Sequence, residues 1–173
     1  MPGMADPRFE NTVIYMCHHA ADGAMGLIVN RSIEDLAFRD ILTQLDIKPA
    51  RSCEHIRVHR GGPVETSRGF VLHTADYHRE GTLVVSEDIA LSATTEVLRA
   101  IAVGEGPSRS LMALGYAGWG EGQLDDEIKR NAWLSVPADL DLLFAEDLGS
   151  KWVRALGKLG INPAMLSASA GHA

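Results

Sequence analysis

The residue types able to hold a metal come first. Cys17, His18 and His19 are consecutive, and His55 and His59 lie four apart. On a helix that spacing would put two imidazoles on one face, as shared metal ligation requires. The run HIRVH alternates instead, which reads as a strand, and four strand steps separate the rings by roughly 13 Å. His18 and His19, being adjacent, point to opposite faces of a strand end. No metal is expected at either pair. Nucleophilic chemistry has as little to build on, because there is no GxSxG elbow and no CxxC. Cys17 lies in an apolar run, where a thiol usually packs. Ser67-Arg68 ahead of GFVLH, with His73 at its end, is the nearest approach to a Ser/His pair. Gly118, Gly120 and Gly122 follow a strand and open a helix, the context of a phosphate cradle. The dinucleotide fingerprint then needs a small residue at 123, which is Gln, and Glu121 with Asp125, Asp126 and Glu127 would repel phosphate. No cofactor is expected.

The elements that must position these residues alternate between strand and helix. Strands are predicted at 12–17 (TVIYMC), 26–30 (GLIVN), 55–60, 69–73 (GFVLH), 82–86 (TLVVS), 110–116 (SLMALGY) and 133–136. The glycines and Asp between the first two predict a hairpin whose turn is longer than two residues. Ser32 reads as a helix N-cap with Asp35 behind it, and Ile33, Leu36, Ala37, Ile41, Leu42 and Leu45 form one apolar helical face. Further helices are predicted at 92–103, closed by Gly104, at 124–131, at 137–144, and at 151–159, closed by Gly160. Hairpin-length and helix-length connections are mixed, which favours an α+β fold with a mixed, largely antiparallel sheet. Residues 1–166 read as one domain and 167–173 as a loose tail.

Composition narrows the function classes. The chain has 173 residues, with Lys+Arg 16 against Asp+Glu 23, a net charge of −7. An acidic chain is poorly suited to holding nucleic acid or an anionic membrane by bulk charge. The helix at 92–103 is followed by a Gly-Glu-Gly-Pro turn and a strand, so a helix-turn-helix lacks its second helix. No apolar run is long enough to span a bilayer, and no basic-then-apolar leader opens the chain. Two cysteines in a chain of this length suggest reduced thiols and a cytoplasmic setting.

Four blocks, MPGMADPRFENTVIY, GAMGLIVNR, GGPVETSRGFVLH and ALGYAGWGEGQLDDEIKRNAWL, closely resemble the motifs of the YqgE/AlgH family of bacterial proteins. The resemblance runs from Met1 to about Leu166. It implies an α+β fold of coiled, partly bifurcated sheets with helices packed on them, and no established activity. Some members carry a label as transcriptional regulators. Family members usually begin with an apolar strand ahead of the MPGM block, whereas this sequence starts inside it, so that strand is either absent or encoded upstream of Met1. A missing strand would leave an unpaired edge or an open groove. Where the family often has Glu-His, this chain has His18-His19.

The candidate site residues are the polar and aromatic side chains within those blocks: Asn30, Arg31, Arg68, His73, Tyr116, Trp119 and Gln123. Several sit at strand ends or in glycine-rich loops, where function concentrates. The expected role is non-catalytic binding of a small ligand or another protein, with a regulatory effect. Direct reading of DNA is disfavoured. The competing expectation is a metal-independent hydrolase or transferase working in a cleft near Arg68, His73 and Trp119. Trp119, set among glycines, is expected to border that cleft as a lid and to contribute little to stability.

Overall fold

A computed structural model describes residues 6–50 and 52–169, with side chains through Leu166. The MPGM start of the first block lies outside the described residues. Seven strands form one coiled sheet: β1 (Ile14–Ala20), β2 (Gly23–Ile28), β3 (Val58–Arg60), β4 (Val64–Thr74), β5 (Thr82–Val84), β6 (Ile89–Ser92) and β7 (Ser110–Trp119). The order across it is β1-β2-β7-β4-β6-β5, with β3 also pairing β7. All pairings are antiparallel except β3 with β7. Among the described residues there are also six α-helices, α1 (Phe38–Gln44), α2 (Thr95–Val103), α3 (Gln123–Lys129), α4 (Leu140–Leu143), α5 (Lys151–Lys158) and α6 (Pro163–Ser169), and two short 3-10 turns. The expected α+β class, with a largely antiparallel sheet, is the one found.

Strand alternation splits the core into two faces. Val71 and Met112 point one way, into a cluster with Val58, Phe38 and Leu42 of α1, and Val97, Leu98 and Ile101 of α2. Their neighbours Phe70, Leu72, Leu111 and Ala113 point the other way and meet Leu27, Ile89, Leu91 and Leu143 of α4. β7 is therefore buried on both sides, as the apolar run SLMALGY implied.

Several boundaries differ from expectation for identifiable reasons. The hairpin turn between β1 and β2 is tight, because Ala20 pairs directly with Gly23. Residues 23–25, expected to be turn, extend the strand expected from Gly26 because its other edge is claimed by β7 at Ala24–Trp119, Met25–Gly118 and Gly26–Ala117. Ladder bonds on both sides override weak strand propensity. The first helix starts at Phe38 rather than after Ser32. Ser32 bridges His59, and the Ile33 N–H donates to the Val58 carbonyl, so this stretch is held extended beside β3. The strand expected at 55–60 shrinks to β3, and the β-branched stretch 82–86 yields only β5. β6 occupies residues expected to be loop and helix start, which delays α2 to Thr95. Residues 133–136 pair with no strand among the described residues and line a cavity beside β1 instead. α6 runs past Leu166 to Ser169, where a loose tail was expected, and residues 170–173 lie outside the described residues. Gly104 and Gly160 close α2 and α5 at φ +80° and +71°, as expected of C-terminal glycines.

Candidate functional site

β7 and the turn behind it organise the motif residues. Gly115 adopts φ +76°, and a Cβ there would lie 2.5 Å from the Gly62 carbonyl oxygen. A Cβ on Gly62 would in turn collide with the Tyr116 backbone. The Gly-Gly of GGPV and the Gly of ALGY thus form one contact, two backbones too close for any side chain. Just beyond it, the β4–β7 register slips between Val64 and Gly69. Glu65 takes φ +46° in this bulge. A bulge re-aims side chains, and here it turns Glu65 and Arg68 outward beside Tyr116.

The GWGEGQLDDE stretch closes on itself. Trp119, only 8% exposed, donates its indole N–H to Glu127 Oε2 at 2.9 Å, and Trp133 donates to the same oxygen at 2.8 Å. Gln123 donates to Glu127 Oε1 and accepts from the Gly120 N–H, both at 3.0 Å. The two indole rings meet edge to face at 5.9 Å. Trp119 also packs with Ala24, Ala117 and Leu124. It does border a depression with Arg68, but as an anchored core residue with a satisfied N–H rather than as a lid. The sequence carried a usable sign of this knot, since Gln123 and Glu127 are spaced i, i+4 on a helix.

The seven candidate residues separate into four groups. Asn30 and Arg31 tie down the chain before β1. Asn30 accepts from the Val13 N–H and donates to the Asn11 carbonyl, while the Arg31 guanidinium donates to the carbonyls of Arg8 and Glu10. His73 is fully buried at 0% exposure, with Nδ1–H donating to the Thr74 carbonyl and Nε2 accepting from Ser92 Oγ, both at 2.8 Å. Burial holds its pKa below the usual histidine range. It lines no surface cleft, and Ser67 lies far along the same strand, so the two form no hydroxyl–imidazole pair. Gln123 belongs to the Glu127 knot. Arg68, Tyr116 and Trp119 do come together, lining one open depression of about 650 Å³ with His18, Phe70 and Leu83.

In that depression the Arg68 guanidinium sits 5.1 Å above the Phe70 ring and 3.4 Å from Glu65. Burial first, and then the Glu65 carboxylate, push the Tyr116 phenol above its usual value, so it remains a donor. A second cavity, about 350 Å³, lies beside β1 and is lined by Trp119, Trp133, Trp152 and Leu159. His18 faces the first cavity and His19 the second, where His19 lies 3.1 Å from Asp125. Among the described residues no three His, Cys, Asp or Glu side chains gather as metal ligands. Burial pushes the Cys17 thiol up to about 12, which leaves it unreactive.

Comparison with known proteins bears directly on these blocks. A family model described as AlgH-like matches residues 1–164. The chain belongs to the AlgH-like family. Among AlgH-like relatives, a UPF0301 protein of Rhodospirillum rubrum is 60% identical over 173 residues, covering all of this chain and 90% of that one. A UPF0301 protein of a Methylobacterium species is 54% identical over 181 residues, covering all of this chain and 86% of its own. The solution structure of the AlgH protein from Pseudomonas aeruginosa superposes with a TM-score of 0.80 at 47% identity, covering this whole chain and 92% of that one. A crystal structure of a Corynebacterium diphtheriae protein shares the fold, with a TM-score of 0.73 at 17% identity over 95% of this chain and 84% of that one. The resemblance read from the four blocks is thus confirmed. Among the described residues of this AlgH-like chain, no helix is long and apolar enough to cross a membrane.

Two functional candidates escaped the sequence reading. His59 stands out in the sequence only as half of a His pair, and Lys151 only as the first residue of a predicted helix. Both are buried, at 2% and 1% exposure.

Proposed function

We infer that the protein is a cytoplasmic, non-catalytic binding module whose ligand occupies the depression at the β4 bulge. One observation carries this reading. Arg68 from one sequence block and Tyr116 and Trp119 from another converge on a single concave surface. The volume suits a small molecule. The chemistry suits an amphipathic one: an anionic group for Arg68 and the Tyr116 hydroxyl, and a flat apolar body for Phe70 and Leu83, which is 52% exposed. With His73 sealed in the core, the depression is left with Arg68, its Glu65 partner, Tyr116 and an exposed His18–Asp22 pair, polar groups placed to orient a ligand. A regulatory effect would run through a partner that senses the ligand-bound form, given the net charge of −7. Two cysteines, of which Cys17 is a buried thiol, suit a reducing compartment.

The test is a titration of isotopically labelled protein with a panel of small aromatic carboxylates, followed by amide shifts. Binding at this site moves Arg68, Tyr116 and Gly118, and Arg68→Ala abolishes the response. Shifts confined to other surfaces, or unaltered in Arg68→Ala, would overturn the reading.

A further inference from the structure

A second polar site lies at the other end of β7, apart from the depression. His59 Nδ1–H donates to the Met112 carbonyl at 3.2 Å. That fixes the neutral tautomer with its lone pair on Nε2, and Nε2 is buried with no hydrogen-bond partner among the described residues. Lys151, at the start of α5, donates to the carbonyls of Val29 at 2.8 Å and Leu143 at 2.6 Å. An ammonium has three N–H groups, so one is left over. No carboxylate pairs with Lys151 among the described residues. A buried acceptor without a donor and a buried cation without an anion are each costly, and both border the same small cavity.

That cavity holds about 40 Å³ and is walled by Leu111, Leu148 and Phe144. At about 10–15 Å³ per water-sized atom, it accommodates roughly three heavy atoms. It shares His55, Ser110, Phe144 and Glu146 with a cleft of about 600 Å³ that opens to solvent. A group entering from the cleft would meet one donor and one acceptor, both buried.

We propose that this pit takes the terminal carboxyl group of a small organic acid, one oxygen accepting from Lys151 Nζ and the other sharing a proton with His59 Nε2. The carboxyl group is three heavy atoms with this donor–acceptor pattern once it carries a proton. Above the acid's own pKa the ligand arrives as an anion, so binding takes up one proton, bound between the carboxylate and His59. The charges around the pit favour an anion. Lys151 and Arg154 come from α5, and Arg57 and His55 from the segment entering β3. Glu146, exposed at the rim after α4, opposes it, and the β7 residues that line the pit, Ser110 and Leu111, are not titratable. In the empty protein, burial first and then the Lys151 charge hold His59 down to about 4. Burial first and then Arg154 and Arg57 pull Lys151 down to about 8, so both polar groups are poised for a charged or proton-bearing partner.

The experiment is a titration of full-length ¹⁵N-labelled protein with sodium acetate, reading the histidine ring nitrogens at about pH 5, 6 and 7. The expected result is a shift of His59 Nε2 away from a free acceptor, with affinity falling about tenfold per pH unit. His59→Asn keeps a donor for the Met112 carbonyl but is too short to place an acceptor at the Nε2 position, and should weaken acetate at least about tenfold. Unmoved His59 signals, pH-independent affinity, or wild-type affinity in His59→Asn would each overturn the proposal. So would the same shifts produced by sodium chloride, or a long-lived water at His59 that acetate does not displace. If His59→Asn does not fold, the wild-type titration and its pH dependence still decide.

Discussion

The two ends of β7 treat buried polar groups in opposite ways. At the Trp119 end, one carboxylate satisfies two indoles and a glutamine amide, and the glutamine closes a backbone N–H in return. At the Met112 end, a histidine nitrogen and a lysine that border a cavity have hydrogen-bonding capacity left unanswered among the described residues. The end richest in recognisable motif is the closed one. A dense pattern of Gly, Trp, Gln and Glu marks residues that must fit each other, and ligand capacity at that end is left to the adjoining Arg68 and Tyr116, whereas at the other end it comes from buried groups that lack partners among the described residues.

The contrast can be broken first at Trp119. If it is packed and bonded as described, Trp119→Ala loses about 3–5 kcal/mol in denaturant melts, the reverse of what a lid would cost. A loss under about 1 kcal/mol would make the two ends alike. The pH dependence of stability probes the other end. His59 titrates near 4 in the folded chain and near 6.5 when unfolded, so the unfolded chain binds the extra proton in that window. Stability should therefore fall as pH drops from about 6.5 to about 4, by about 3 kcal/mol in total. Burial of His73 acts in the same direction. Lys151 extends the slope at high pH, with stability rising from about 8 towards its unfolded value of 10.5. Urea melts of wild type and His59→Asn across the acid window isolate the His59 share as a difference, and identical slopes would remove it. Smaller still is Glu127→Leu, which strands two indole donors and should lose about 1–3 kcal/mol, with Glu127→Gln recovering part of it. The smallest effect is at Arg68. Its ion pair with Glu65 is exposed, so Arg68→Ala should shift stability by no more than about 0.5 kcal/mol while emptying the depression of its cation.

What was legible in the sequence followed from periodicity. The apolar runs of β4 and β7, the amphipathic α2 and the capping glycines announced themselves because local pattern and tertiary demand agree there. The first half of β2 and the start of α1 did not, because a neighbouring strand decides both: β7 recruits residues 23–25 into the sheet, and β3 holds Ser32 and Ile33 extended. Of the site candidates, Arg68, Tyr116 and Trp119 share a surface through a bulge that spacing alone does not reveal. Asn30 and Arg31 proved to be clamps for the N-terminal segment, a role that needs partners far away in the chain. His59 and Lys151 stayed hidden because burial of a charged residue leaves no mark on a helical or strand repeat.

The position of β7 in the chain has a consequence for how the protein is made. Its partners β2, β3 and β4 all precede it, yet the sheet has no centre until residues 110–119 arrive. During synthesis most of the molecule must therefore leave the ribosome with its inner strand edges unsatisfied, waiting on a segment of high sequence separation. A chain that stalls before Ser110 would carry three such edges and would stick to its neighbours rather than fold. Completion of one strand thus divides a nascent chain that aggregates from one that closes, and any factor that slows translation just ahead of Ser110 would lengthen the hazardous interval.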